Sequence, residues 1–278
     1  MSLTISQKSN ISGFPKPAEL IEITGTGGLE TQDRVLVNTL YKFAHDSGEL
    51  GKPGARWSIP MADLNTGTHK GLERVRESLS RLLGIQVAVT YRAEDGETKI
   101  LQTVLFSHFI TPATLAQGGS GGGGALQFGI PEELRAILAR SGRWGRIRAE
   151  IVCAMSSKYA IALYEMIRLR ANMDNCTEMF TLERFRALLG VPPGSYENGP
   201  DFRRFVIEPA TVEINGLSEL SCKVELIRKH SRAPVEKVLL GWGLKSPEEN
   251  REAIKELGRS KLGRKIRLRG EVETVVLI

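Results

Sequence analysis

Twice along this chain a helical spacing of apolar residues gives way abruptly to a β-rich stretch. That change of period limits the fold more than any other feature. Leu72, Val75, Leu79 and Leu82 recur at steps of three, four and three, which lines one face of a helix. Directly after them, GIQVAVTYR and KILQTVLFSHFI are rich in β-branched residues and flank AEDGET, a turn signal, so they predict a hairpin. An earlier helix is predicted from Leu29 to Asp46, where Leu36, Leu40 and Phe43 share a face, and a short segment spans Ile59 to Leu64. ALQFGI reads as a third strand. Pro131 to Arg140 reads as a short helix, with Pro131 in the tolerated first turn.

The same order returns after SGRWGRIR. Ile151 to Ala171 predicts one long helix, and Phe180 to Leu189 a second with Thr181 as N-cap. PPGSYENGP is a turn, and Asp201 to Asn215 a third helix. Pro209 would cost about 3 kcal/mol inside a straight helix, so a kink or restart is expected there. Cys222 to Ile227 and Val235 to Trp242 form strands around RKHSRAP, and Ser246-Pro-Glu-Glu opens one more helix with N-cap, Pro and Glu in order. Helices followed by a hairpin are the order of a winged helix-turn-helix domain. The chain is therefore predicted to be α+β, with two tandem winged-helix domains (helix-turn-helix plus β-hairpin). The expected division is a flexible N-terminal tail at 1–28, domain one at 29–142, a basic linker at 143–150, domain two at 151–245 and a C-terminal basic extension at 246–278.

Composition narrows the function. A net charge of +6 and a pI near 9.3 are compatible with a polyanion partner, and both halves share the excess. No apolar run reaches the roughly 18 residues of a membrane span, and the N-terminus is polar. Cys153, Cys176 and Cys222 form no CxxC pair, which fits a reducing compartment. A soluble, cytoplasmic protein without a membrane partner is expected. Catalytic chemistry finds little footing. Gly25 to Gly28 lacks dinucleotide-site spacing, and Gly118 to Gly124 lacks the Lys-Ser/Thr of an ATPase loop, so the latter reads as a flexible loop or linker. His45, His69, His108 and His230 show no metal-ligand spacing and no His-x-His of the metal-dependent nicking replicases, and His108 reads as a core residue of an apolar strand. No enzyme, catalytic residue, metal or cofactor is expected.

What remains is basic. Lys70, Arg74 and Arg81 lie opposite the apolar stripe of the helix that precedes the first hairpin. Arg203 and Arg204 open the equivalent helix of the second half, the element that enters the major groove in helix-turn-helix proteins. On it Phe202, Phe205, Val206 and Val212 are expected to face the core, with Arg204, Thr211 and Asn215 pointing away. Arg228, Lys229 and Arg232 fall where a wing would touch phosphates. In the extension, Arg264, Lys265 and Arg267, with Arg259, Lys261 and Arg269 around them, fit either a phosphate-tracking arm or a solvated edge strand.

Ser157-Lys-Tyr-Ala-Ile-Ala-Leu-Tyr-Glu165, Leu189-Gly190, Tyr196, Asp201-Phe-Arg-Arg-Phe-Val-Ile207 and Glu213-Ile-Asn215 together resemble the iteron-binding plasmid replication initiators. Gln32-Asp-Arg-Val-Leu-Val-Asn38 is similar to the opening helix of that family's first domain. The resemblance covers about residues 29–242 and is strong over 157–215; Ala162 departs from it, where the family often has Arg. It implies a monomer that grips one direct repeat of double-stranded origin DNA, each domain in one of two successive major grooves. It also implies melting of adjacent AT-rich DNA, recruitment of the host replication initiator and helicase, and a homodimer that represses its own promoter. A winged-helix transcriptional regulator without a replication role is the alternative. Within the signature helix Tyr159 and Tyr164 read as packing residues.

Overall fold

The computed structural model describes residues 13–64, 71–113, 124–171, 173, 175–231 and 233–270. The first half runs β1 (Phe14–Pro17), α1 (Ala18–Ile21), a 3₁₀ turn (Thr26–Gly28), α2 (Thr31–Asp46), β2 (Trp57–Pro60), α3 (Met61–Leu64) and α4 (Gly71–Gly84). It continues through β3 (Gln86–Arg92), β4 (Thr98–Val104), β5 (His108–Ile110), β6 (Ala125–Gly129) and α5 (Glu132–Arg140). The second half begins with β7 (Trp144–Ile147), α6 (Ala149–Ala154), α7 (Lys158–Arg170), β8 (Thr177–Thr181) and α8 (Leu182–Leu189). There follow α9 (Gly199–Phe202), a π turn (Arg203–Ile207), α10 (Glu208–Leu217), β9 (Leu220–Arg228), β10 (Val235–Leu244), α11 (Pro247–Gly258) and α12 (Arg264–Leu268).

Each half is a winged-helix unit. In the second, α8 and the α9–α10 helix lie between β8 and the β9–β10 hairpin, and the strands join antiparallel in the order β8-β10-β9. In the first, α4 leads into the β3–β4 hairpin, while β2 pairs with β6 and β6 with β5. Local chemistry sets the helix ends. Thr181 caps α8 by accepting the Arg184 amide, and α11 starts in a capping box between Ser246 and Glu249. The apolar stripe of α4 is buried as its spacing predicts: Val75, Leu79 and Leu82 are all within the core.

Four sequence expectations need correction. Residues 13–28 are not a tail, because Phe14, Ala18, Leu20 and Ile21 are buried and β1 pairs antiparallel with β7. The joint at 143–150 is not a free linker for the same reason. β7 alternates exposed Trp144 with buried Gly145 and Ile147, and at Gly145 a Cβ would lie 2.9 Å from the Leu169 backbone nitrogen. The strand thus presses on α7 as only a glycine permits. The long helix expected over 151–171 is broken at 155–157, where Ser157 accepts the Tyr159 and Ala160 amides as N-cap of α7. Apolar spacing runs through the break, which is why periodicity alone missed it. Finally, the extension is not an edge strand: α11 and α12 are helical and both pack on α10. The glycine run at 118–123 and the C-terminal EVETVVLI lie outside the described residues.

Helix α7 holds the two units together. Every residue from Tyr159 to Arg170 is buried, and α7 touches α1, α2, β7, α8 and α10. Such complete burial brings Glu165 into the interior, so its charge needs partners. Glu165 accepts from Lys16 of β1 at 2.7 Å and from Asn38 of α2 at 2.7 Å, and Lys16 also donates to the Asn38 side-chain oxygen at 3.2 Å. One turn earlier on α2, buried Arg34 donates to Thr26 at 3.0 Å and to the Leu189 carbonyl at 3.1 Å. At the neighbouring Gly190 the backbone is left-handed (φ 69°), and a Cβ would stand 2.5 Å from the Arg34 guanidinium. Burial pushes the Lys16 ammonium below its ordinary value against the pull of Glu165.

A second charged knot fixes the C-terminal helices. Glu256 of α11 is buried and receives Arg267 at 2.8 Å and Arg259 at 3.3 Å, with Arg264 at 3.6 Å. Arg264 itself reaches the Ala154 carbonyl of α6 at 3.0 Å and the Arg259 carbonyl at 2.8 Å. Arg267, helped by Arg259, holds the Glu256 carboxyl below the usual glutamate value despite its burial.

Lys16→Ala leaves a buried carboxylate short of its cation and should cost about 3–5 kcal/mol in thermal or urea unfolding, whereas Lys16→Met combined with Glu165→Gln should cost far less than the two single changes together. For Glu256 the folded pKa is depressed, so its contribution is full above the ordinary value of 4.5 and fades as the pH falls through the lower folded value. Amide exchange over 264–268, corrected for intrinsic rates, should quicken in that acid range, and Glu256→Gln should show the quickened rate already at neutral pH.

Candidate nucleic-acid interface

The helix before the second hairpin carries the most distinctive geometry. Asn198 caps it by accepting the Asp201 amide at 2.8 Å, and Pro200 sits in the first turn. The backbone stays right-handed helical from Phe202 through Glu208, so α9, the π turn and α10 form one continuous helix. Pro209 explains the π turn. Proline has no N–H to donate, and its ring would clash with the carbonyl four residues back. One extra residue in the preceding turn relieves both problems without breaking the helix. In place of the kink or restart expected at Pro209, the helix runs on through a widened turn.

Widening rotates the side chains. Phe202, Val206, Ile207, Ala210 and Ile214 face the core, while Arg203, Arg204 and Phe205 all face out. The expectation that Phe205 is buried fails: it is 47% exposed. Thr211 also departs from its expected place. Its hydroxyl is buried against Cys222, whose thiol is pushed up to about 12 by burial. Asn215 is likewise occupied, pairing with the Cys222 backbone in both directions at 2.7 and 3.1 Å. Thr211 therefore does not reach a ligand on the outer face.

Alongside this helix lies a cleft of about 580 Å³, bounded by the start of α7, the π turn and α12. Arg204, Phe205, Lys261, Lys265 and Arg269 line it. Glu213 is the one acidic residue there, and its carboxylate already accepts the Ser156 amide at 3.0 Å and the Ser157 amide at 3.2 Å. Arg203, Arg204, Lys265 and Arg269 are exposed and form no ion pair among the described residues, while Lys261 donates to the Cys153 carbonyl at 2.6 Å. Arg264 and Arg267, expected as contact residues, are instead bound to Glu256 and backbone carbonyls, with Arg264 only 7% exposed. They hold α12 in place. Density of basic residues could not separate holders from presenters, because that depends on where Glu256 lies.

Elsewhere the structure brings fewer of the expected residues together. Arg228 is exposed at the end of β9 and donates to the Ala233 carbonyl at 3.0 Å, and Lys229 is 77% exposed with Glu236 at 3.7 Å. Both lie at the hairpin tip; Arg232 lies outside the described residues. On α4, Arg74 is exposed, and Arg76, which sequence reading passed over, is exposed too. Arg81 is corrected: it makes a two-pronged contact with buried Asp33 at 2.9 and 3.0 Å and approaches Glu30 at 3.3 Å. Its guanidinium ties α4 to the capping box of α2. Lys70 lies outside the described residues. Among the described residues no group of three or more His, Cys, Asp or Glu side chains could hold a metal ion, and no helix is long and apolar enough to cross a membrane.

No curated protein matches the chain. Among solved structures, the fold is similar to that in "Crystal structure of Pi initiator protein in complex with iteron DNA", with a TM-score of 0.60 over 84% of this chain and 97% of that chain, at 16% identity. Residues 181–239, from the N-cap of α8 into β10, match the family model described as initiator Rep protein, WH2. That span contains the capped α8, the widened helix and most of the hairpin, so residues 181–239 are similar to the second winged-helix domain of the initiator Rep proteins.

Proposed function

We propose that the chain initiates plasmid replication by binding direct repeats of double-stranded origin DNA with its two winged-helix units. The observation that carries this reading is the widened helix before the hairpin. It presents Arg203 and Arg204 outward, and Arg204 shares a cleft with the exposed Lys265 of α12 and Arg269 at its C-cap. Arginine matches guanine edges with two parallel hydrogen bonds, and cations on either flank suit the phosphates of the groove walls. The α4 helix with Arg74, and the hairpin tip with Arg228 and Lys229, would engage the same duplex. The buried Lys16–Asn38–Glu165 contact favours one repeat per chain read in two successive grooves, since units joined through a shared core present both helices in a set relation. After binding, the protein would aid melting of adjacent DNA and recruit the host initiator and helicase, and a homodimer would repress its own promoter. None of these steps calls for a cofactor or a catalytic residue of this chain.

Footprinting across the replicon that encodes the chain tests the reading directly. Protection of several adjacent direct repeats is expected; one inverted repeat would indicate a transcriptional regulator instead. On the protected duplex, Arg203→Ala and Arg204→Ala should each cost about 1–3 kcal/mol at matched salt without loss of fold, and an unaltered double variant rejects the helix assignment. Lys265→Ala with Arg269→Ala should weaken specific and random duplexes alike and flatten the slope of log affinity against log salt by roughly two. Arg264→Ala and Arg267→Ala should lower stability before they alter that slope.

A further inference from the structure

Phe205 is the one large apolar side chain between 199 and 217 that stands among the exposed ones of the described residues. An isolated exposed phenylalanine would mean little, but this one is held. The Tyr196 ring stacks on it with centroids 5.6 Å apart and planes at 29°, and the Arg204 guanidinium stands 5.2 Å over its ring. Tyr196 adopts φ 53°, the only positive φ of a non-glycine among the described residues. A bulky residue rarely takes that conformation, and persists there only when its surroundings impose it. Arg186 imposes it, donating to the Tyr196 carbonyl at 2.8 Å and to the Ser195 carbonyl as well. A strained turn and a widened helix therefore cooperate to hold an aromatic ring outward, next to the two outward arginines.

The apolar group that a duplex displays in its major groove is the 5-methyl of thymine; the other features there are hydrogen-bond donors and acceptors. We infer that Phe205 is a specificity-determining residue that packs against the methyl group of one thymine in the recognised repeat. The inference rests on the DNA-binding reading above. Tyr196 is the positioning residue: it limits the freedom of the ring, so little ordering is needed on contact.

The test uses the full chain and a site selected with it from a randomised duplex library. Each thymine of that site is then replaced in turn by deoxyuridine, which removes only the methyl group. One replacement should weaken the parent protein about fourfold, the value of one buried methyl group, and the others should have little effect. Phe205→Ala should bind the thymine site at least as weakly as the parent binds that uracil site, and should be indifferent to the replacement. Phe205→Leu, which keeps an apolar contact, should retain the sensitivity. Urea unfolding midpoints should be close for all three proteins, which shows that the fold is kept, and binding to random duplex, an electrostatic property, should be nearly equal. The inference is overturned if no thymine is sensitive in the parent, a result independent of any variant's folding, or if Phe205→Ala keeps the parent's sensitivity. Selection of no site by the parent overturns the DNA-binding reading itself, and this inference with it.

Discussion

The Glu165 carboxylate is the constraint around which the two halves are arranged. It lies on a helix buried along its whole length, where an unpaired charge would cost several kcal/mol. Its partners come from elsewhere: Lys16 from the strand that opens the described chain and Asn38 from the first long helix. Satisfying one carboxylate thus fixes β1, α2 and α7 against each other. The pairing of β1 with β7 and the bond of Arg34 to the Leu189 carbonyl add further ties between the two halves. The joint between the units is part of the core, and each outward helix is set on a common frame.

On that frame the outer surface is shaped by proline and by one buried glutamate. Pro209 forces a wider turn just before it, and the extra residue turns Arg203, Arg204 and Phe205 outward together. Glu256 gathers Arg259, Arg264 and Arg267, which seats α12 beside that turn and leaves Lys265 and Arg269 facing solvent. Half of a basic cluster therefore serves as scaffold for the other half. Arg81 shows the same division on a smaller scale, since Asp33 takes a side chain that pattern alone would assign to the outer surface.

Much of the fold was legible in order and spacing. The stripe Val75, Leu79 and Leu82, the Thr181 cap and the Ser246 box all act locally, within a turn or two of chain, and each appears where the sequence places it. The candidate site was legible only in part. Arg203 and Arg204 were readable because they open a helix that precedes a hairpin. Phe205 and Thr211 were not, because a regular 3.6-residue period places each one on the wrong side of a helix that widens between 203 and 207.

By itself, then, the sequence determined the succession of helices and hairpins, the two winged-helix units and the excess of positive charge, since these depend on neighbours along the chain and on composition. Tertiary structure decided which charges are free. Whether an arginine faces solvent or a buried carboxylate depends on residues such as Asp33 and Glu256, which lie 48 positions from Arg81 and 11 from Arg267. It also made the tail and the joint into paired strands, because the β1–β7 ladder joins residues more than a hundred positions apart. Hydrogen bonds and ion pairs act over a few ångströms in space, and no periodicity along the chain encodes that distance.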